Sequence, residues 1–89
     1  MKITQARVIE LGFICERETA IVNRCWVCLT GGIGYYSYPR IDIEFVEGEV
    51  DDVPEMYLRN ENGSFLKLSY VETMRDLREL YRLLSGRTL

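Results

Sequence analysis

Two cysteines near the middle of the chain have a spacing that could do chemistry. Cys25 and Cys28 form a Cys-x-x-Cys motif, as in thiol oxidoreductases and zinc knuckles, and Cys15 could add a third thiolate. Redox motifs place the first Cys at a helix start, whereas residues 21–30 are rich in Val, Ile, Cys and Trp, which is typical of a strand. Residues three apart on a strand point to opposite faces. Because three cysteines cannot all pair within one chain, we expect reduced, buried thiols in a reducing compartment rather than a redox or zinc site.

The segment from residue 31 to residue 39 is the best candidate for recognition. It reads Gly-Gly-Ile-Gly-Tyr-Tyr-Ser-Tyr-Pro, in which glycines allow close backbone approach and tyrosines offer rigid surfaces with a polar tip. The segment lacks the third Gly of a dinucleotide-binding fingerprint and the Gly-Lys-Ser/Thr ending of a phosphate loop. A plain connection between strands is the alternative. The candidate partner-binding residues of the chain are Trp26, Gly32, Gly34, Tyr35, Tyr36 and Tyr38.

The stretch from Asp42 to Glu55 contains seven acidic residues and no basic one. Paired carboxylates could act as general acid and base, or a set of them could bind calcium. The alternating Asp and Asn of a calcium loop are absent, however, and nothing in the spacing selects a catalytic pair. We therefore expect a solvated acidic surface. The alternative is a surface that binds a basic protein or imitates the charge of nucleic acid.

The composition argues against several classes of function. The chain has no His, which excludes a histidine base, metal ligand or pH switch. Its 11 basic and 14 acidic residues give a net charge of −3 and leave no basic stripe for nucleic acid. No apolar run is long enough to span a membrane or to serve as a signal peptide. We predict a cytoplasmic, non-enzymatic protein without a cofactor or metal.

The elements that would position these residues form a single α+β domain over residues 1–89. Thr4 can cap a short helix at residues 5–11, and Gly12 can end it. Hydrophobic patterning then predicts a four- to five-stranded antiparallel sheet. The predicted strands lie at residues 13–17, 21–30, 38–46, 56–59 and 64–68.

Two local patterns support this sheet. Ile41 and Ile43 alternate with Asp42 and Glu44, which predicts a strand with one apolar and one wet face. The Asn-Glu-Asn-Gly sequence at residues 60–63 predicts a tight turn, because Asn and Gly tolerate positive φ.

A long C-terminal helix completes the domain. Residues 69–72 read Ser-Tyr-Val-Glu, a capping box, and Gly86 can end the helix. Its predicted apolar stripe consists of Tyr70, Met74, Leu77, Tyr81 and Leu84, widened by Val71 and Leu80. We expect this helix to pack on one face of the sheet and to leave the other uncovered. The uncovered face could then form a homodimer through Trp26, Tyr36 and Tyr38.

Both ends of the chain resemble a group of uncharacterised proteins encoded by phages, prophages and mobile elements of gut Bacteroidetes. Residues 73–89 read TMRDLRELYRLLSGRTL, and those proteins often end in a pattern like YVHxLQNLYFALTGxEL. The positions in register are Leu77, Leu80, Tyr81, Leu84, Gly86 and Leu89. Residues 3–13 are similar to a second segment of that group, LTEEWLLKLGF. The chain differs at the His, Gln and Asn of the pattern, which are Arg75, Arg78 and Glu79 here.

The resemblance implies a phage or mobile-element accessory protein and transfers no catalytic residue. Together with the composition, it leads us to expect a protein that acts by binding a host or phage protein. The alternative is a protein that binds or sequesters a small molecule of the nucleotide type at a subunit interface.

Overall fold

A computed structural model describes residues 1–30, 38–48 and 54–89 of the chain. In chain order its elements are α1 (Gln5–Glu10), β1 (Ile14–Arg17), β2 (Val22–Cys28), β3 (Arg40–Val46), β4 (Glu55–Arg59), β5 (Phe65–Lys67) and α2 (Met74–Ser85). The five strands form one sheet in the order β1-β2-β3-β4-β5, and every neighbouring pair is antiparallel. The predicted α+β architecture is confirmed.

Local sequence rules account for α1 and for the turn between β4 and β5. The Thr4 hydroxyl accepts a hydrogen bond from the Arg7 amide at 3.2 Å, and Gly12 follows the helix with a φ of 100°. In the turn, the Asn60 amide donates to the Ser64 carbonyl at 2.9 Å, and Gly63 has a φ of 88°. Both positive φ values are conformations that glycine adopts without the steric cost of a Cβ.

One apolar cluster lies between the sheet and the two helices. Its members come from α1, from the three central strands and from α2, which shows that both helices contribute to the same core. The Tyr81 hydroxyl also donates to the Cys28 carbonyl at 3.3 Å, linking α2 to β2. The buried members include Val8, Cys25, Ile41, Ile43, Met56, Met74, Leu77 and Tyr81.

The start of α2 differs from the prediction. Thr73, rather than Ser69, is the N-cap, and it forms a capping box with Asp76. A bridge between Lys2 and Thr73 and a hydrogen bond from the Met74 amide to the Met1 carbonyl (2.9 Å) hold Thr73 extended, so the helix begins after it. The predicted capping box at residues 69–72 is therefore wrong.

The apolar stripe of α2 is confirmed in its middle and wrong at its ends. Met74, Leu77 and Tyr81 are buried, as the spacing predicted. Tyr70 lies in a turn before the helix and is 66% exposed, because the helical spacing does not extend to it. Leu84, in the last turn, is also exposed.

The cysteines differ from the prediction in part. A disulfide joins Cys15 of β1 to Cys25 of β2, with the two Cα atoms 4.0 Å apart. The prediction of reduced thiols at these two positions is therefore wrong. The odd number of cysteines excluded complete pairing but not one bond, and the β1–β2 register sets these two residues directly opposite each other. Cys28 lies outside this bond, and the register places it on the opposite face of β2 from Cys25, as expected.

Across residues 1–30, 38–48 and 54–89, no helix combines the length and apolar character that crossing a membrane requires.

Candidate functional site

The sheet face opposite the core carries charged and aromatic side chains in cross-strand rows. We call it the charged face. Its central row contains Trp26, Asp42, Tyr57 and Lys67. Towards one end of the strands the next row contains Arg40, Arg59 and Phe65, and towards the other it contains Arg24, Glu44 and Glu55. The ionised groups thus make one side of the face mainly basic and the other mainly acidic.

Asp42 lies at the centre of this face and is 0% exposed. Its Oδ1 is 2.9 Å from Arg40 Nε and its Oδ2 is 2.5 Å from Arg59 Nε. The sequence predicted a solvated carboxylate here, which is wrong because the two long guanidinium side chains enclose it. Burial raises the pKa of the Asp42 carboxyl, and the guanidinium groups of Arg40 and Arg59 act in the opposite direction.

Two of the predicted partner-binding residues meet at this centre. The Arg40 guanidinium carbon is 5.1 Å from the ring centroid of Trp26 and 4.8 Å from that of Tyr38, which are cation–π distances. Trp26 is only 3% exposed. Trp26 thus lies on the sheet face opposite the core, as expected, but its buried indole leaves little area for direct contact with a partner.

Solvent reaches the charged face over its two edges, at Ile14 and Glu16 of β1 and over β4 and β5, and aromatic and basic side chains are exposed together on the β4–β5 side. The Tyr57 and Phe65 rings meet edge to face with centroids 5.6 Å apart, and the Arg59 guanidinium carbon lies 5.6 Å from the first centroid and 5.5 Å from the second. Phe65 is 61% exposed. We call Tyr57, Arg59, Phe65 and Lys67 the β4–β5 patch.

Sequence reasoning missed this patch. The signal was available, since Tyr57 and Arg59 alternate on one strand and Phe65 follows the predicted turn. Their meeting depends on the register of β4 with β5, which places Arg59 opposite Phe65.

Glutamates with basic or hydroxyl neighbours border the patch and the acidic side of the face. The Tyr57 hydroxyl donates to Glu55 Oε2 at 2.6 Å, and this bond lowers the pKa of Glu55 and raises that of Tyr57. Lys67 Nζ is 3.6 Å from Glu55 Oε1. Arg24 Nη2 lies 2.6 Å from Glu44 Oε1, so the predicted solvated acidic surface is corrected at this position as well.

Part of the predicted site cannot be placed on this framework. Gly32, Gly34, Tyr35 and Tyr36 lie outside the described residues, as do residues 49–53 of the acidic stretch. Within the ranges that are described, no group of three or more Cys, Asp or Glu side chains could hold a metal ion.

A separate candidate site lies between the helices. A cleft of about 380 Å³ has Leu11 and Met74 among its apolar walls, and Arg7, Arg75 and Arg78 at its polar wall with Glu10 and Glu79. Its charged residues sum to one excess positive charge, three basic against two acidic. Such a lining suits a small molecule with an apolar body and an anionic group.

The charged face thus combines a buried ion-paired centre with an accessible aromatic and basic patch, a combination suited to recognition. No family model, curated protein or solved structure matches this chain.

Proposed function

We propose that this chain is a non-enzymatic protein-binding module whose contact surface is the β4–β5 patch. The observation that carries the proposal is Phe65, a largely exposed aromatic side chain held against Tyr57 and the Arg59 guanidinium. Aromatic residues and Arg are the residue types that supply most of the binding energy at protein interfaces.

The buried centre supports this role by fixing Arg59 in place. Its Nε faces the Asp42 carboxylate, and among the residues that the structure describes no other acidic side chain pairs with it. The two terminal nitrogens of its guanidinium are thus available for a bidentate hydrogen bond to a partner's carboxylate. An arginine already held in position loses little conformational entropy on binding, which favours affinity.

The chemistry of the patch defines the partner. A protein segment that fits it presents a carboxylate to Arg59 and an apolar side chain to the Tyr57–Phe65 pair. The resemblance of the chain ends to phage, prophage and mobile-element proteins suggests that this partner is a host or phage protein.

The cytoplasmic location is part of the same proposal. Disulfides persist in oxidising compartments and are rare in the cytosol, so the redox state of Cys15 and Cys25 in cells tests it. Thiols that react with an alkylating reagent immediately after lysis support a cytoplasmic location, whereas an intact disulfide contradicts it.

Site-specific photo-crosslinking tests the interaction. A photoreactive phenylalanine analogue replaces Phe65 in one variant and Leu83, which is 75% exposed on α2, in a matched control. In lysate of the cells that encode the chain, we expect a cross-linked protein from position 65 and not from position 83. Arg59→Lys should abolish the product, since Lys keeps the charge but lacks the planar fork. Equal products from both positions, or a product that Arg59→Lys leaves unchanged, would contradict the proposal.

The cleft between α1 and α2 favours a second candidate function, the binding of an anionic small molecule such as a nucleotide. Arg78 lines the cleft, whereas Arg82 is exposed on the same helix outside it. A ligand at 100 times its Kd should stabilise the fold by about 2.7 kcal/mol, which thermal-shift measurement with a panel of nucleotides would detect. Arg78→Ala should abolish the shift and Arg82→Ala should preserve it. A panel that produces no shift counts against this candidate.

A further inference from the structure

Among the strands that the structure describes, β5 has an outer edge whose backbone groups pair with no other strand. β5 is the last strand in the order, and it pairs with β4 on its inner side. The Leu68 amide donates to the Met56 carbonyl at 2.8 Å, and the Asn60 amide donates to the Ser64 carbonyl at 2.9 Å. In an antiparallel ladder, hydrogen-bonded positions alternate, so the backbone N–H and C=O groups of Leu66 also point towards β4. The N–H and C=O groups of Phe65 and Lys67 therefore point outward.

Two features protect this edge from pairing, its length of only three residues and the charge of Lys67, but others are missing. Phe65, Leu66 and Lys67 are all exposed, and Leu66, on the core side of the strand, is 60% exposed. The strand contains no Pro, and its one charged residue, Lys67, has Glu55 beside it at 3.6 Å. An exposed apolar edge of this kind is a template for another strand.

We propose that the β5 edge binds a second copy of this chain, joining the two sheets through an antiparallel β5–β5 pair centred on Leu66. Phe65 of one copy then lies opposite Lys67 of the other, and each such pair can exchange both backbone hydrogen bonds, since these residues have the outward-pointing groups. Leu66 lies opposite Leu66 of the second copy, in a position that is not hydrogen bonded. The contact is two-fold symmetric, as most homodimers are.

The side chains favour a second copy over an unrelated strand. The cross-strand row through the interface becomes Tyr57, Lys67, Phe65 of the second copy and Arg59 of the second copy, so aromatic rings and cations alternate along it. On the other side, the two Leu66 side chains cover each other. The two Lys67 side chains are diagonal neighbours, and their repulsion is reduced because Glu55 accompanies each of them.

The pairing also extends the proposed function without depending on it. The joined sheets display two β4–β5 patches side by side, so a partner with two copies of its segment would gain avidity. The dimer can form without any other partner. A chain that dimerises but binds no other protein would therefore leave this inference intact while contradicting the proposed function.

Disulfide trapping tests the register. Leu66→Cys places two thiols opposite each other across a close pair, and Leu83→Cys gives an equally accessible thiol on α2 as the control. Because Cys15 and Cys25 are already bonded and Cys28 is buried, the introduced thiol is the accessible one. Under mild oxidation we expect about tenfold more covalent dimer from position 66 than from position 83, since disulfides need close Cα atoms.

A second variant separates pairing from folding. Lys67→Pro removes the outward N–H and the ion pair with Glu55 but no backbone hydrogen bond to β4, so the β4–β5 ladder is retained while the edge is blocked. Lys67→Ala, which removes the same ion pair and keeps the N–H, is the matched control. Sedimentation velocity should show a concentration-dependent dimer for the original chain and a monomer for Lys67→Pro. A monomer at every concentration, equal trapping from positions 66 and 83, or a dimer that Lys67→Pro leaves unchanged would overturn the inference.

Discussion

Arg40 shows how one side chain can join the buried and the aromatic parts of the charged face. Its Nε contacts Asp42 at 2.9 Å while its guanidinium lies within cation–π distance of both Trp26 and Tyr38. A cation taken out of water needs a carboxylate, and a carboxylate taken out of water needs a cation. The two residues are therefore stable in the sheet only together, and Arg59 completes the set.

Replacing Arg40 by Met should expose this dependence. The variant leaves Asp42 buried with one guanidinium fewer, and we expect the free energy of unfolding near pH 7 to fall by about 3 kcal/mol. Chemical denaturation measures this value. Arg17→Met is the matched control, because Arg17 and Glu47 form an exposed ion pair at 3.6 Å that should contribute no more than about 1 kcal/mol.

The effect of Arg40→Met should also depend on pH. Burial raises the pKa of Asp42 and Arg40 opposes that rise, so the variant's Asp42 has a still higher pKa. A carboxyl whose pKa is higher in the folded than in the unfolded state stabilises the fold in its protonated form. This stabilisation is lost as the pH rises through the folded-state pKa. The deficit of Arg40→Met should therefore shrink as the pH falls below the variant's Asp42 pKa. A deficit that is the same at every pH would exclude a role for the Asp42 charge.

At the scale of elements, the segments governed by neighbouring residues were predictable. The α1 helix, the turn at residues 60–63 and the positions of all five strands agree with the sequence patterns within a few residues. The start of α2 was not predictable, since Ser69 and Thr73 both begin a plausible capping box and the choice depends on a bridge to Lys2. The burial of Asp42 was missed for a similar reason, because it requires arginines from two different strands.

The two capping boxes can be distinguished by mutation. Thr73→Ala should destabilise the protein by about 1 kcal/mol, the usual cost of losing an N-cap, whereas Ser69→Ala should have almost no effect. Thermal and chemical denaturation of both variants measure the difference. A larger loss from Ser69→Ala would mean that the helix begins where the sequence alone predicted.

The capping carboxylate adds a pH dependence of the opposite sign to that of Asp42. The amide of Glu72 and the hydroxyl and amide of Thr73 lower the pKa of Asp76 below its ordinary 3.8. A lowered pKa stabilises the fold at higher pH, and this contribution is lost as the pH falls through the folded pKa. Asp76→Asn should therefore be less stable than the original chain at neutral pH, and the two should converge in strong acid. Parallel acid-unfolding curves would contradict this assignment.

The disulfide between Cys15 and Cys25 stabilises the β1–β2 hairpin. Cys15 and Cys25 are ten residues apart, and closing a loop of that size should stabilise the fold by about 2–3 kcal/mol. Replacing both residues by Ser should remove this amount, measured by denaturation without reductant. Adding reductant should lower the stability of the original chain and leave the double variant unchanged. If reductant lowered the stability of both proteins equally, the loss could not be due to the bond between Cys15 and Cys25.

At the scale of the whole molecule, the net charge of −3 does not show how the acidic and basic side chains are arranged. Acidic and basic groups are matched across strands on the charged face, while the apolar groups on its β4–β5 side are exposed. Length, composition and hydrophobic patterning could indicate a single small α+β domain without histidine chemistry. They could not locate the exposed surface, because that surface is created by strand register.

A dimer joined at β5 should make the melting temperature depend on concentration. Association of folded chains stabilises them by mass action, so Tm should rise as the protein concentration increases. Differential scanning calorimetry over a wide concentration range measures the trend. Lys67→Pro should remove it, while Lys67→Ala, which keeps the outward N–H, should retain part of it. A Tm independent of concentration in the original chain would show that it melts as a monomer.

The burial of Trp26 against Arg40 has a practical consequence for spectroscopy. Trp26 is the one tryptophan of the chain, so its intrinsic fluorescence reports on the centre of the charged face without any label. Occupation of the β4–β5 patch would not touch the indole directly. The effect of binding would reach the indole through Arg59, Asp42 and Arg40. A change in emission on adding a partner would therefore measure how tightly the accessible and buried parts of this face are coupled.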